Sequence, residues 1–130
     1  MEVRGQHIWL VGASAGIGAA LAAQLSAAGA TLTLSARNVD LLHSIAATCG
    51  AAIPRVLPLD VTDAKSIETA WQVLEASGLP DMVIYNAGAY EPLAATQFDL
   101  KKIEQMVDVN FNGALRVLSH VIPAFVARNA

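Results

Sequence analysis

Gly12, Gly16 and Gly18 punctuate the stretch Gly12-Ala13-Ser14-Ala15-Gly16-Ile17-Gly18, and their spacing carries more chemistry than any other feature of the chain. The apolar run His7-Ile8-Trp9-Leu10-Val11 precedes it and an alanine-rich helical pattern follows. Strand, tight turn and helix N-terminus in that order make a phosphate-binding corner of the dinucleotide type. Gly12 lets the strand turn sharply. Gly16 lets the backbone approach a phosphate where a Cβ would collide. Gly18 lets the helix pack closely on the sheet. The helix start then turns unpaired N–H groups and the positive end of its dipole toward the pyrophosphate. Gly12, Ser14, Ala15, Gly16, Ile17 and Gly18 are therefore the first candidate binding residues. The spacing is Gly-x-x-x-Gly-x-Gly, not the commoner Gly-x-Gly-x-x-Gly. A glycine triplet arises easily by chance in an alanine-rich loop, so the flanking strand and helix are what give it meaning.

A second set of residues bears on which dinucleotide is chosen. Sites that select NAD place Asp or Glu after the second strand, where it binds the ribose 2′-hydroxyl. Here that place reads Ser35-Ala36-Arg37-Asn38, with no carboxylate. The Arg37 guanidinium suits a 2′-phosphate, and Ser14 offers a hydroxyl donor beside it. The expectation is NADP(H) over NAD(H). The alternative for Arg37 is a solvated surface arginine near a helix start, where a cation gains nothing from the dipole.

The elements that must position these residues alternate along the chain. His7–Val11 reads as a first strand. Ile17, Leu21 and Leu25, with Ala20 and Ala28, form a helical stripe that Gly29 ends. Thr31–Ser35 reads as a second strand. Asn38 caps a helix carrying Leu41, Leu42, Ile45 and Cys49, stopped by Gly50. Ile53–Leu59 reads as a third strand, which Pro54 and Pro58 place near a sheet edge. Thr62 or Asp63 caps a helix with Ile67, Ala70, Trp71 and Leu74, ended by Gly78. Asp81–Tyr85 is the fourth strand, and a loop runs from Asn86 to Phe98. A last helix starts near Asp99 and carries Leu100, Ile103, Val107, Phe111, Leu115, Leu118, Ile122 and Phe125, with Pro123 expected to kink its final turns. Four strands alternating with four helices predict an α/β fold, a doubly wound parallel sheet of the Rossmann type in one domain over residues 1–130. Right-handed crossovers set its order as 3-2-1-4.

Composition narrows the function classes. The 130 residues are 55% hydrophobic and 15% charged, which excludes a disordered chain. A net charge of −3, with eight scattered Lys and Arg, leaves no basic footprint for nucleic acid. The uncharged stretch from Gly5 to Ala36 resembles a membrane span in charge alone. It is rich in Gly, Ala, Ser, Gln and Thr, lacks a continuous apolar block and divides into strand, turn and helix, so no membrane partner is expected. The one cysteine, Cys49, makes no internal disulfide, reads as a small core residue and fits the reducing cytoplasm. His7, His43 and His120 lie too far apart in sequence for a metal motif.

Four motifs now stand in order: the glycine loop, Asp60-Val61 after the third strand, Asn86-Ala87-Gly88 after the fourth, and Val109-Asn110-Phe111-Asn112-Gly113 in the last helix. Together they resemble the short-chain dehydrogenase/reductases, over nearly the whole chain from about Gly5 to Arg128. The resemblance implies hydride transfer between a nicotinamide cofactor and a small alcohol or carbonyl, and subunits that associate as homo-oligomers. It implies that Asp60 bonds the adenine amino group beside the Val61 backbone, that Asn86, Ala87 and Gly88 line the cofactor, and that Asn110 holds a water in the proton relay. The residues by themselves leave other roles open. Asp60 could cap the next turn, Asn86 could tie backbone groups at a strand end, and a buried Asn110 fits either a kink with a water or a plain helix contact. Val11 departs from the family pattern, standing where threonine is common.

The larger departure is the catalytic set. The family uses a serine and Tyr-x-x-x-Lys, the lysine lowering the tyrosine pKa. Four residues after Tyr85 and Tyr90 stand Ala89 and Ala94, and the only lysines are Lys65, Lys101 and Lys102. Asn110 is the one catalytic position of the family present. The sheet is expected to end after its fourth strand and the following helix, with an exposed strand edge and apolar residues uncovered on the helix. The leading expectation is the cofactor-binding half of an NADP-dependent oxidoreductase, inactive alone. The alternatives are a non-enzymatic NADP(H)-binding or sensing module, half of a two-chain enzyme, or a sheet for a flavin or an adenosylated methyl donor. Substrate choice would lie around Ala89–Phe98 and mostly outside this sequence.

Overall fold

A computed structural model describes residues 2–50 and 52–129. Strands β1 (His7–Val11), β2 (Thr31–Ser35), β3 (Arg55–Val56) and β4 (Met82–Tyr85) form one sheet in the order β3-β2-β1-β4. All three pairings are parallel, with Trp9 opposite Thr33 on one side and Val83 on the other. Helices α1 (Gly16–Ala27), α2 (Val39–Thr48) and α3 (Ala64–Ser77) make the crossovers. A 3₁₀ turn (Ala95–Gln97) interrupts the expected loop before α4 (Leu100–Val107), a π-helical turn (Asp108–Asn112) and α5 (Gly113–Ala127).

Side-chain alternation along the strands divides the core between two sheet faces. Ile8, Leu10, Leu32 and Leu34 pack with Ala22 of α1, Leu42 and Ala46 of α2, and Cys49 just past the end of α2. Trp9, Val11, Leu57 and Leu59 pack with Ile67, Trp71 and Leu74 of α3 and Val117 and Val121 of α5. Two polar rungs cross the second face, Trp9 Nε1 donating to Ser35 Oγ and His7 Nε2 meeting Thr33 Oγ1, each at 2.8 Å. Cys49 is buried and free, as a core residue.

Several elements differ from the sequence expectation. The third strand shortens from Ile53–Leu59 to Arg55–Val56, although Leu57 N and Leu59 N still donate to Leu34 O and Ala36 O; Pro54 and Pro58 fall at the alternate positions, whose missing N–H groups face the open edge. It does lie at the sheet edge. Strand β4 starts one residue later than expected. The α1 stripe is also displaced: Ile17 is 73% exposed and Ala20 and Ala28 are exposed, while Gly18 and Ala22 face the sheet with Leu21 and Leu25 beside them. Small residues on that face let the helix approach closely. Asp63, not Thr62, caps α3 by accepting from Lys65 N. The last helix breaks its α-helical ladder at 108–112 and runs through Pro123 to Ala127. Its expected core stripe faces outward, with Phe111, Leu115, Leu118 and Ile122 exposed, and Val117 and Val121 take the core.

Candidate functional site

Where β1 ends, Val11 passes into Gly12 at φ +88°, a left-handed turn that a side chain resists. Gly12 N and Ala13 N both donate to the Ser35 carbonyl, so the last residue of β2 holds the start of the loop. Asn86 completes the corner from β4. Its N–H donates to Val11 O at 2.8 Å and its Nδ2 to Gly12 O at 3.1 Å. A Cβ on Gly18 would run into the Gly12 carbonyl and lie 2.9 Å from Asn86 Nδ2. A Cβ on Gly16 would meet nothing within 4 Å. Gly18 is thus closed by protein and Gly16 is open.

The start of α1 differs from the other capped helices. Asn38, Asp63 and Asp99 each accept a backbone N–H at the starts of α2, α3 and α4. Ala15, at the N-cap of α1, has no side chain to do so, and the first turn holds no acidic residue. Its orphan N–H groups and the positive dipole end are left to an outside partner.

A cavity of about 740 Å³ opens at this end of the sheet. Gly12, Ser14, Ala15, Ile17, Arg37, Asp60, Val61, Asn86, Ala87 and Gly88 all line it, so most of the sequence-selected residues converge. Gly16, Gly18 and Asn110 are not among its walls. Gln105 of α4 and Val109 of the π turn are walls that the sequence did not point to. Arg37 is exposed on the rim and takes part in neither ion pair found among the described residues. Asp60 accepts Thr62 N at 2.9 Å and Thr62 Oγ1 at 2.7 Å, both on Oδ1. These bonds hold its carboxyl below the usual carboxylate range, and the charge of Arg37 adds to the effect.

Asn110 is exposed, not buried, and it stands in the π turn. Its Oδ1 accepts Ala89 N at 2.6 Å and its Nδ2 donates to Ala89 O at 2.8 Å. The side chain clips the strand-four loop to the helix as a neighbouring strand would. Tyr85, seen in the sequence only as lacking its lysine, donates to the Val109 carbonyl at 2.6 Å. Burial raises its pKa to about 12, so it remains a donor. Behind it a Cβ on Gly113 would lie 2.5 Å from the Tyr85 hydroxyl, which leaves that position no side chain. Asp108, Asn112 and Arg116 recur at a spacing of four, the one sequence signal that could have placed them on a common helix face.

A parallel 3-2-1-4 sheet with a glycine turn at the carboxyl end of its first strand defines a Rossmann-type protein. The chain matches the short chain dehydrogenase family over residues 6–130, and it belongs to that family. It is 33% identical over 134 residues to the mouse protein dehydrogenase/reductase SDR family member 7, covering 98% of this chain and 40% of the relative. An uncharacterized oxidoreductase of Listeria innocua is 36% identical over 138 residues, covering 100% of this chain and 54% of the relative. A solved short-chain type dehydrogenase/reductase from Mycobacterium ulcerans superposes with a TM-score of 0.81 at 29% identity, covering 92% of this chain and 46% of that one. The chain therefore spans about half the length of the relatives it matches.

Proposed function

We propose that this chain is the cofactor-binding half of an NADP-dependent short-chain oxidoreductase acting on a small alcohol or carbonyl. The observation that carries the reading is the uncapped start of α1 opening on a cavity whose rim holds Arg37 and Asp60. A nicotinamide dinucleotide fits these residues: the space beside Gly16 admits a phosphate, and the volume lies within the range of ligand sites. When bound, the nicotinamide would supply the hydride chemistry.

The protein's own groups divide the binding work. Ser14, Ala15, Gly16 and Ile17 turn backbone N–H groups toward the pyrophosphate, and Gly12 and Gly18 shape the turn and the close packing behind them. Arg37 pairs the 2′-phosphate, its guanidinium being engaged in neither ion pair among the described residues. Asp60 and Val61 meet the adenine. Asn86, Ala87 and Gly88 line the far end. Asn110 keeps one lone pair on Oδ1 and one N–H on Nδ2 after clipping Ala89, enough to hold a relay water. The sequence contains no Tyr-x-x-x-Lys to move the proton, so the chain alone binds cofactor and turns over nothing. Its single buried cysteine supports a cytoplasmic setting. The exposed apolar row on α5 supports self-association.

Fluorescence titration with NADPH and NADH tests the reading. NADPH should bind more tightly, and Arg37→Ala should weaken it by roughly tenfold or more while changing NADH less than about twofold. Equal losses for the two would overturn the NADP preference, and no binding of either would overturn the cofactor site.

A further inference from the structure

Arg116 stands on α5, well along the chain from the loop that follows β3, yet its guanidinium reaches that loop. Nη1 donates to the Val61 carbonyl at 3.1 Å. Nη2 donates to Asp108 Oδ1 at 2.6 Å, which anchors the fork from the π turn. Asn112 Nδ2 reaches the same Asp108 oxygen at 3.4 Å.

The carbonyl that Arg116 grips belongs to the peptide unit joining Val61 to Thr62. The N–H of that unit donates to Asp60 Oδ1 at 2.9 Å. One planar group is thus held at its oxygen by a cation and at its nitrogen by a carboxylate. A peptide plane cannot turn one end without the other. Fixing the Val61 carbonyl therefore fixes the direction of the Thr62 N–H, and with it the orientation of the Asp60 carboxylate. The cation also polarises the peptide and strengthens the bond at its far end. Both bonds that Asp60 accepts fall on Oδ1, which leaves Oδ2 for a ligand in the cavity.

We propose that Arg116 is a positioning residue for the adenine end of the cavity: by bracing the Val61–Thr62 peptide against Asp108, it aims the free oxygen of Asp60. The proposal rests on the reading of Asp60 as the partner of the adenine amino group. Arg116 itself touches no cofactor in this role.

The test compares the chain's affinity for NADPH with its affinity for reduced deamino-NADP, in which hypoxanthine replaces adenine and an oxygen replaces the amino donor. The unaltered chain should prefer adenine by about tenfold or more, the worth of a hydrogen bond to a charged group. Arg116→Met keeps the apolar stem and removes the fork. It should cut the preference below about threefold while the hypoxanthine form binds nearly as before. A merely structural lesion would weaken both ligands together and leave the ratio intact. An intact ratio in the folded variant overturns the proposal. Should Arg116→Met fail to fold, Asp108→Asn removes the anchor and is read by the same ratio, with the same outcome overturning it. Asp60→Asn separates the two ideas. If it abolishes the preference and the Arg116 variant does not, the Asp60 reading stands and the positioning role falls. If the unaltered chain binds NADPH with no preference for adenine, the Asp60 reading fails and takes the proposal with it.

Discussion

Two glycines separate what the fold needs from what a ligand needs. Gly18 is closed by the Gly12 carbonyl and the Asn86 amide, so Gly18→Ala should push the loop off the sheet. We expect a loss of about 1–3 kcal/mol in urea unfolding, as for overpacking elsewhere, together with loss of NADPH binding. Gly16 has open space at its Cβ position and φ +56°. Gly16→Ala should cost only about 1–2 kcal/mol of backbone strain yet weaken NADPH tenfold or more, because the methyl occupies the approach to the phosphate. Gly18→Ala should be the less stable of the two; the reverse order, or unchanged NADPH affinity in Gly16→Ala, would contradict this division. Tyr85 gives a pH signature. Its folded pKa of about 12 lies above the ordinary value of 10, so the folded chain keeps a proton that the unfolded chain releases. Stability from this group is full below pH 10 and falls as pH rises toward 12. The melting temperature of the wild type should drop more steeply across that window than that of Tyr85→Phe, and parallel curves would refute the assignment. At this scale the convergence of the glycine loop, Arg37 and Asp60 on one cavity was legible, the first two from their place after a strand and Asp60 from the family resemblance. Tyr85 and Arg116 were not, since their partners lie 24 and 55 residues away and only the fold brings them together.

Among the elements, β1 and β2 were legible to the residue because β-branched and apolar runs end at glycine or polar residues there. The last helix was not. Its apolar residues recur at helical spacing on more than one face, and periodicity cannot say which face meets the sheet. Nor does periodicity reveal the π turn, which inserts a residue and turns Asn110 toward Ala89. The clip has a measurable consequence. Asn110→Ala removes both bonds to Ala89 and frees the loop from the helix. Deuterium uptake at the amides of residues 89–91 should accelerate by an order of magnitude or more, with about 1–2 kcal/mol lost from global stability. Unchanged uptake there would mean that the loop is held by its other contacts, such as the ion pair of Lys102 with Glu91.

The whole molecule presents one side that its own core does not cover. Among the described residues β4 pairs with β1 alone, and each of its four residues is only half-buried. Beside this open edge, α5 carries Leu115, Leu118, Ile122 and Val126 outward, following Phe111 of the π turn. Their spacing of three and four residues makes a continuous apolar row on one helical face. An unpaired strand edge and an apolar helix face are both surfaces that bury themselves where they can. The small net charge of −3 does little to hold copies apart. The chain should therefore self-associate at micromolar concentration, and sedimentation velocity should show species heavier than the monomer. Leu115→Lys combined with Ile122→Lys should shift the distribution toward monomer. Neither residue lines the cavity, so NADPH affinity should change less than about threefold. A wild-type chain that sediments as a stable monomer would overturn the prediction and show that the row, with Phe111 and Val126 61% and 68% exposed, does not drive association.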